Sequence, residues 1–235
     1  MTHDEYCREI ESYLCRKNDG HLVRIVGPSF ERVRGWASEG IPFKIVCQGI
    51  DRYFDRYYAK GPRRRPVQID FCEADVMDAF DAWRRAVGVR LPGAEITQET
   101  SVPRRRRSVP EHLKRVLEKI TSRLVAATPL SLPLRQTLES IGDELASSFD
   151  TLEGPIRGEA RARLNARLLD LDRAMIDAAR KEADPALLQT LRREAAGELA
   201  PFQERMARET YERAVEAGVE RLLREREHLP AITFD

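Results

Sequence analysis

Aromatic side chains are scarce in this chain, at 7% of its 235 residues, and long apolar runs are absent. No stretch reaches the roughly 18 consecutive apolar residues that a membrane-spanning helix needs, so no membrane partner is expected. The opening MTHDEYCREI is polar and acidic and lacks the apolar centre of a signal peptide. The expected location is therefore cytoplasmic. Cysteine is also sparse: Cys7, Cys15, Cys47 and Cys72 form no C-x-x-C pair, and no histidine stands at metal-ligand spacing from them. They read as reduced, semi-buried core thiols. The four histidines, His3, His21, His112 and His228, are scattered and read as solvent-facing. Nucleophile elbows, phosphate-binding glycine loops, His-Glu-x-x-His helices and the dinucleotide fingerprint are all missing. A non-enzymatic protein with no cofactor and no bound metal is the expectation. Lysine is rare too, 6 residues against 34 arginines. GC-rich coding produces that skew, which lowers the weight of any one arginine cluster.

What is abundant is helix-forming material. Leu, Ala, Arg and Glu dominate the second half, and charged residues make up 34% of the whole. Near the N-terminus, a helix over 4–17 places Tyr6, Ile10, Tyr13 and Leu14 inward and stops at Asn18-Asp19-Gly20. The short run His21–Val26 is too brief to distinguish an extended segment from a helical turn. A helical corner follows. Phe30, Val33 and Trp36 share one face, Gly40 suits a left-handed helix end, and Pro42 opens a helix carrying Val46, Ile50, Tyr53, Phe54 and Tyr57. Asp70 and Glu73 have capping-box spacing before a stripe of Val76, Phe80, Trp83 and Val87. The core expected here is Trp36, Ile50, Phe54, Phe80 and Trp83, packed together.

The fold class predicted is all-α, divided in three. A small helical domain covers 1–90, a flexible Arg/Pro linker 91–109, and a helical bundle or long hairpin 110–235. The linker rests on Pro92 and Pro103, with Pro110 just beyond, on absent apolar spacing and on four adjacent arginines. In the second half, Ser108 and Glu111 form a capping box ahead of Leu113, Leu117, Ile120 and Leu124. Further stripes follow at Leu134, Leu138, Ile141 and Leu145, then at Leu164, Leu168, Leu171 and Met175. Asp184-Pro185 opens the next helix, and Pro201 must kink or divide it.

Two basic clusters are the candidate site. Arg63, Arg64 and Arg65 lie between breakers in KGPRRRPVQ, and Arg104, Arg105, Arg106 and Arg107 lie in the linker. The guanidinium fork suits phosphate oxygens, and several such contacts confer salt-sensitive, sequence-independent affinity. Residues 1–110 carry 20 basic and 16 acidic side chains, a balance of +4, whereas 111–235 carry 20 and 23, a balance of −3. An anionic partner for the first half is permitted by that asymmetry.

The order Trp36, Gly40, Ile45-Val46, Gly49-Ile50, Arg63–Arg65, Ala79-Phe80 and Trp83 resembles the C-terminal helical domain of DnaD-type primosomal replication proteins. The likeness spans about residues 6–87, with Asp75 where that family has an aromatic residue. It implies DNA binding and contact with a replicative helicase or initiator. The expected function is thus a non-enzymatic binding protein, an accessory of DNA replication or maintenance. DNA is one candidate partner; a protein, or a second copy meeting the C-terminal helices, is the other. The rival reading is a protein-binding helical adaptor with no role on nucleic acid.

Overall fold

A computed structural model describes residues 2–59, 61, 65–89, 108–150 and 158–234, with only the backbone described at 149–150. Among the described residues there are nine α-helices and no strand, which bears out the all-α expectation. The helices are α1 (His3–Lys17), α2 (Pro28–Glu39), α3 (Phe43–Tyr58), α4 (Glu73–Val87), α5 (Val109–Val125), α6 (Leu132–Asp150), α7 (Gly158–Glu182), α8 (Pro185–Leu199) and α9 (Arg208–Glu227). None is long and apolar enough to cross a membrane. Two 3-10 segments, Ile69–Cys72 and Ala200–Arg205, precede α4 and α9.

The chain forms two compact units. The first is Met1–Arg90 together with Glu198–Ala214; the second is Leu91–Gly197 together with Val215–Asp235. This differs from the division read from the sequence, which assigned everything beyond 110 to one bundle. The linker expected over 91–109 falls outside the described residues except for Ser108 and Val109. Those two are already the N-cap and first residue of α5, where Ser108 and Glu111 form the expected capping box.

In the first unit, α1 starts at Thr2, whose hydroxyl accepts from Glu5 N–H while the Glu5 carboxylate reaches back. Helix α2 ends where Gly40 takes φ 81°, letting Ile41 N–H bond back to Trp36 O at 2.9 Å. The expected core residues Trp36, Ile50, Phe54, Phe80 and Trp83 are all buried. Phe80 stacks on Trp83 at 5.7 Å, and Trp83 meets Phe202, a residue the sequence reading placed in the other module. Trp83 Nε1 also donates to Glu198 Oε2 at 2.9 Å, which satisfies its one polar atom. Helices α3 and α4 approach closely at Gly49, where a Cβ would stand 2.5 Å from Val76 Cα.

One cap is not where the spacing put it. Asp70 lies inside the 3-10 segment and caps nothing; its carboxylate instead accepts from Ser29 Oγ at 2.6 Å and Arg32 Nη1 at 2.5 Å. Arg32 also reaches Glu73 at 3.2 Å, so a tertiary ion pair has displaced the local box.

In the second unit the α5 stripe is rotated from the expected one. Leu113, Val116, Ile120 and Arg123 are buried, whereas Leu117 and Leu124 are half-buried. Arg123 takes the inward place because its guanidinium has carbonyls to serve. Its Nε donates to Glu227 O at 2.6 Å and its Nη1 to Thr128 O at 3.0 Å, while Nη2 pairs with Glu227 at 3.3 Å. Cations suit the C-terminal end of a helix such as α9. Asp172, also buried, binds Arg224 through both oxygens and accepts Ile232 N–H at 2.9 Å. His112 is not solvent-facing as expected: Nε2 sits 2.9 Å from Ile232 O and the ring lies against Phe234. Pro201 divides the last helices as predicted, and Asp184 caps α8 through Ala186 N–H at 2.9 Å.

Candidate nucleic-acid interface

Four aromatic residues, at 53, 54, 57 and 58, follow one another in the last turns of α3. Successive residues turn about 100° around a helix, so they cannot all face one core. Phe54 goes inward, at 4% exposure. Tyr53 and Tyr57, one turn apart, lie half-buried on the flank and stack at 5.7 Å with planes 22° apart. Tyr58 meets the Tyr57 ring edge-on at 5.3 Å.

Beyond α3 the chain passes Gly61, with φ 103°, and returns through 65–68. Buried Asn18 holds that return like a neighbouring strand: Oδ1 accepts Val67 N–H at 2.7 Å and Nδ2 donates to Val67 O at 3.0 Å. The 3-10 segment then buries Ile69 and Cys72 and turns Phe71 outward, at 58% exposure. Phe71 lies almost parallel to Tyr53, 6.3 Å away and 13° from coplanar. Tyr57, Tyr53 and Phe71 thus form a row whose Phe71 end meets solvent. The guanidinium of Arg56 covers Tyr53 at 5.6 Å and binds Asp75 with both nitrogens, at 2.9 and 2.6 Å. That bond raises the pKa of Arg56. Burial, foremost, also raises the Tyr53 hydroxyl. Asp75 is itself buried against Arg56 and Asp70 is held by Arg32, so these two carboxylates have basic partners.

Of the seven arginines singled out from the sequence, Arg65 is described and exposed, on the segment between the rings of α3 and Phe71. Arg63, Arg64, Arg104, Arg105, Arg106 and Arg107 lie outside the described residues. Phe71 and the Arg56–Asp75 pair were not among the candidates. The crowding of four aromatics into six positions was the available signal, since some had to face outward. No group of His, Cys, Asp and Glu among the described residues is arranged to hold a metal. The four cysteines are unpaired thiols, with Cys7 and Cys72 buried and Cys15 and Cys47 half-buried.

No family model, curated protein or solved structure matches this chain. The likeness to DnaD-type proteins therefore rests on the motif residues themselves.

Proposed function

We propose that this is a non-enzymatic nucleic-acid-binding protein, an accessory of DNA replication or maintenance, that meets DNA with its first unit. The observation that carries this reading is the stacked row Tyr57–Tyr53–Phe71, open to solvent at Phe71, with the Arg63–Arg65 cluster between α3 and Phe71 in the chain. Aromatic faces accept unpaired bases of any sequence, at about 1–3 kcal/mol per base, and arginines neutralise the phosphates alongside. The replication setting is supported by the DnaD-like order of Trp36, Gly40, Gly49-Ile50, Ala79-Phe80 and Trp83.

Fluorescence anisotropy on a labelled single-stranded oligonucleotide, repeated across a salt series, tests it. Affinity should fall with salt by about 0.7 log units per log unit of salt for each phosphate contacted. Replacing Arg63, Arg64 and Arg65 with Gln should reduce that slope, and Phe71→Ala should weaken binding by roughly 5- to 150-fold at unchanged slope. Binding that is absent, or that ignores salt and both changes, leaves the rival reading of a protein-binding adaptor. The observation favouring the rival lies in the second unit. There, a shallow groove of about 540 Å³ runs along α5 past Leu117 and Val125, and Val125 is 80% exposed.

A further inference from the structure

The connection between α1 and α2 is an extended segment with one edge held by α1 and the other open. Burial alternates along it: Val23 and Ile25 are 6% and 5% exposed, whereas Leu22 and Val26 are 75% and 65% exposed. Alternation of that kind marks an extended chain, whose side chains point to opposite faces in turn. Helix α1 supplies the partner that a neighbouring strand would. Val23 N–H donates to Cys15 Sγ at 3.3 Å and Ile25 N–H to Glu11 Oε2 at 2.8 Å, while the Cys15 thiol donates to Val23 O at 3.5 Å. The spacings fit. Two residues of extended chain advance about 6.6 Å, and four residues of helix about 6 Å. So Glu11 and Cys15, one turn apart, meet successive N–H groups on the same edge.

Backbone groups of alternate residues in an extended chain point to opposite edges. The N–H and C=O of Leu22, Arg24 and Val26 therefore face away from α1, and none makes a hydrogen bond among the described residues. We infer that this edge docks an extended peptide from a protein partner by strand addition. An acidic side chain of that peptide lies opposite Arg24, flanked by apolar side chains opposite Leu22 and Val26. Strand addition draws affinity from main-chain bonds and specificity from alternate side chains, and this segment offers both. Arg24 selects the occupant. A second copy pairing antiparallel about Arg24 would set Arg24 against Arg24, and like charges directly opposite are unfavourable. A carboxylate there is favoured instead. This proposal is independent of the nucleic-acid reading, since it uses neither the ring row nor the arginine clusters.

Amide exchange followed by NMR on the full chain tests it, with the synthetic heptapeptide Ser-Val-Thr-Glu-Thr-Val-Ser as probe. In the free protein the Leu22, Arg24 and Val26 amides should exchange much faster than those of Val23 and Ile25. Millimolar peptide should slow those three. A Lys-for-Glu peptide should bind roughly fivefold more weakly, and Arg24→Glu should reverse that preference. N-methylation of the peptide amides that face the edge should abolish binding. Three outcomes would each overturn the proposal. They are slow exchange at Leu22, Arg24 and Val26 in the free chain, no binding at millimolar peptide, and binding indifferent to charge reversal and N-methylation. Arg24 is exposed, so Arg24→Glu leaves the fold intact, which circular dichroism verifies.

Discussion

Cys47 and Cys72 give the first unit a dependence on alkaline pH. Burial, ahead of every charge nearby, pushes both thiols above the ordinary thiol range, up to about 12. In the unfolded chain they titrate near pH 8.5. Above that pH the unfolded state binds fewer protons than the folded one, so stability falls as pH rises. Their contribution is complete below about pH 8.5 and is lost progressively toward pH 12. Urea midpoints measured from pH 8 to 10, below the main titration of unfolded tyrosine, should therefore decline. The double variant Cys47→Ala, Cys72→Ala should flatten that decline; an unchanged slope would move its source elsewhere. That these cysteines are core thiols was legible in the sequence, because they interrupt apolar stripes. Partners of charged residues were not. Asp75 with Arg56, Asp172 with Arg224, and Arg123 with the end of α9 are chosen across 19, 52 and 104 positions, and periodicity holds no information on them.

Helix against helix, the decisive contact is Gly49 of α3 on Val76 of α4. An alanine Cβ at 49 would stand 2.5 Å from Val76 Cα and 2.7 Å from Val76 N. Backbone atoms cannot swing aside, so the two helices would have to part. Gly49→Ala should cost about 1–3 kcal/mol or more, overriding the helix propensity that alanine brings. Gly35 in α2 is the control, since a Cβ there has nothing within 4 Å. Gly35→Ala should stabilise by about 0.5–1 kcal/mol. Denaturant unfolding of both variants checks the pair, and equal effects of one sign would remove the case for close approach. Elements were the most legible level of this protein. The turn at Gly40, the box at Ser108 and Glu111, the cap at Asp184 and the break at Pro201 are all set within a few residues. The Asp70–Glu73 box failed for the complementary reason. Arg32, about 40 positions upstream, offered its carboxylate a charged donor that the local N–H groups could not match.

For the chain as a whole, the first unit is completed by a segment that arrives more than a hundred residues later. Phe202 is 1% exposed and lies on Trp83, Glu198 binds the indole N–H, and Pro201 and Phe202 close over Gly40. A break in the chain at the arginine run should therefore not release the N-terminal piece. Residues 1–104 and 108–235, co-expressed as separate chains, should elute together on gel filtration in native buffer and separate in urea. Phe202→Ala, which removes a large buried ring, should weaken that association. Independent elution of the two pieces would show that 1–90 folds without Glu198–Ala214. The two-module division read from composition could not anticipate this. Linker signals record where regular structure stops, not which distant apolar face returns to finish a core.

The sequence by itself determined the all-α class, where most helices begin and end, and much of the buried face of each. Those properties follow from hydrogen bonds within a turn and from a 3.6-residue repeat, both local. Only the tertiary structure decided the rest. It turned Arg123 inward and rotated the α5 stripe, because α9 ended beside it with carbonyls to bind. It left Tyr53 and Tyr57 half-buried on the flank in a row that ends at exposed Phe71, because Phe54 had taken the core side of α3. It also held Leu22–Val26 extended, because Glu11 and Cys15 stand one helical turn apart, the spacing that alternate strand amides require. In each case the outcome was set by which groups meet in space, and six residues of apolar pattern carry no record of that.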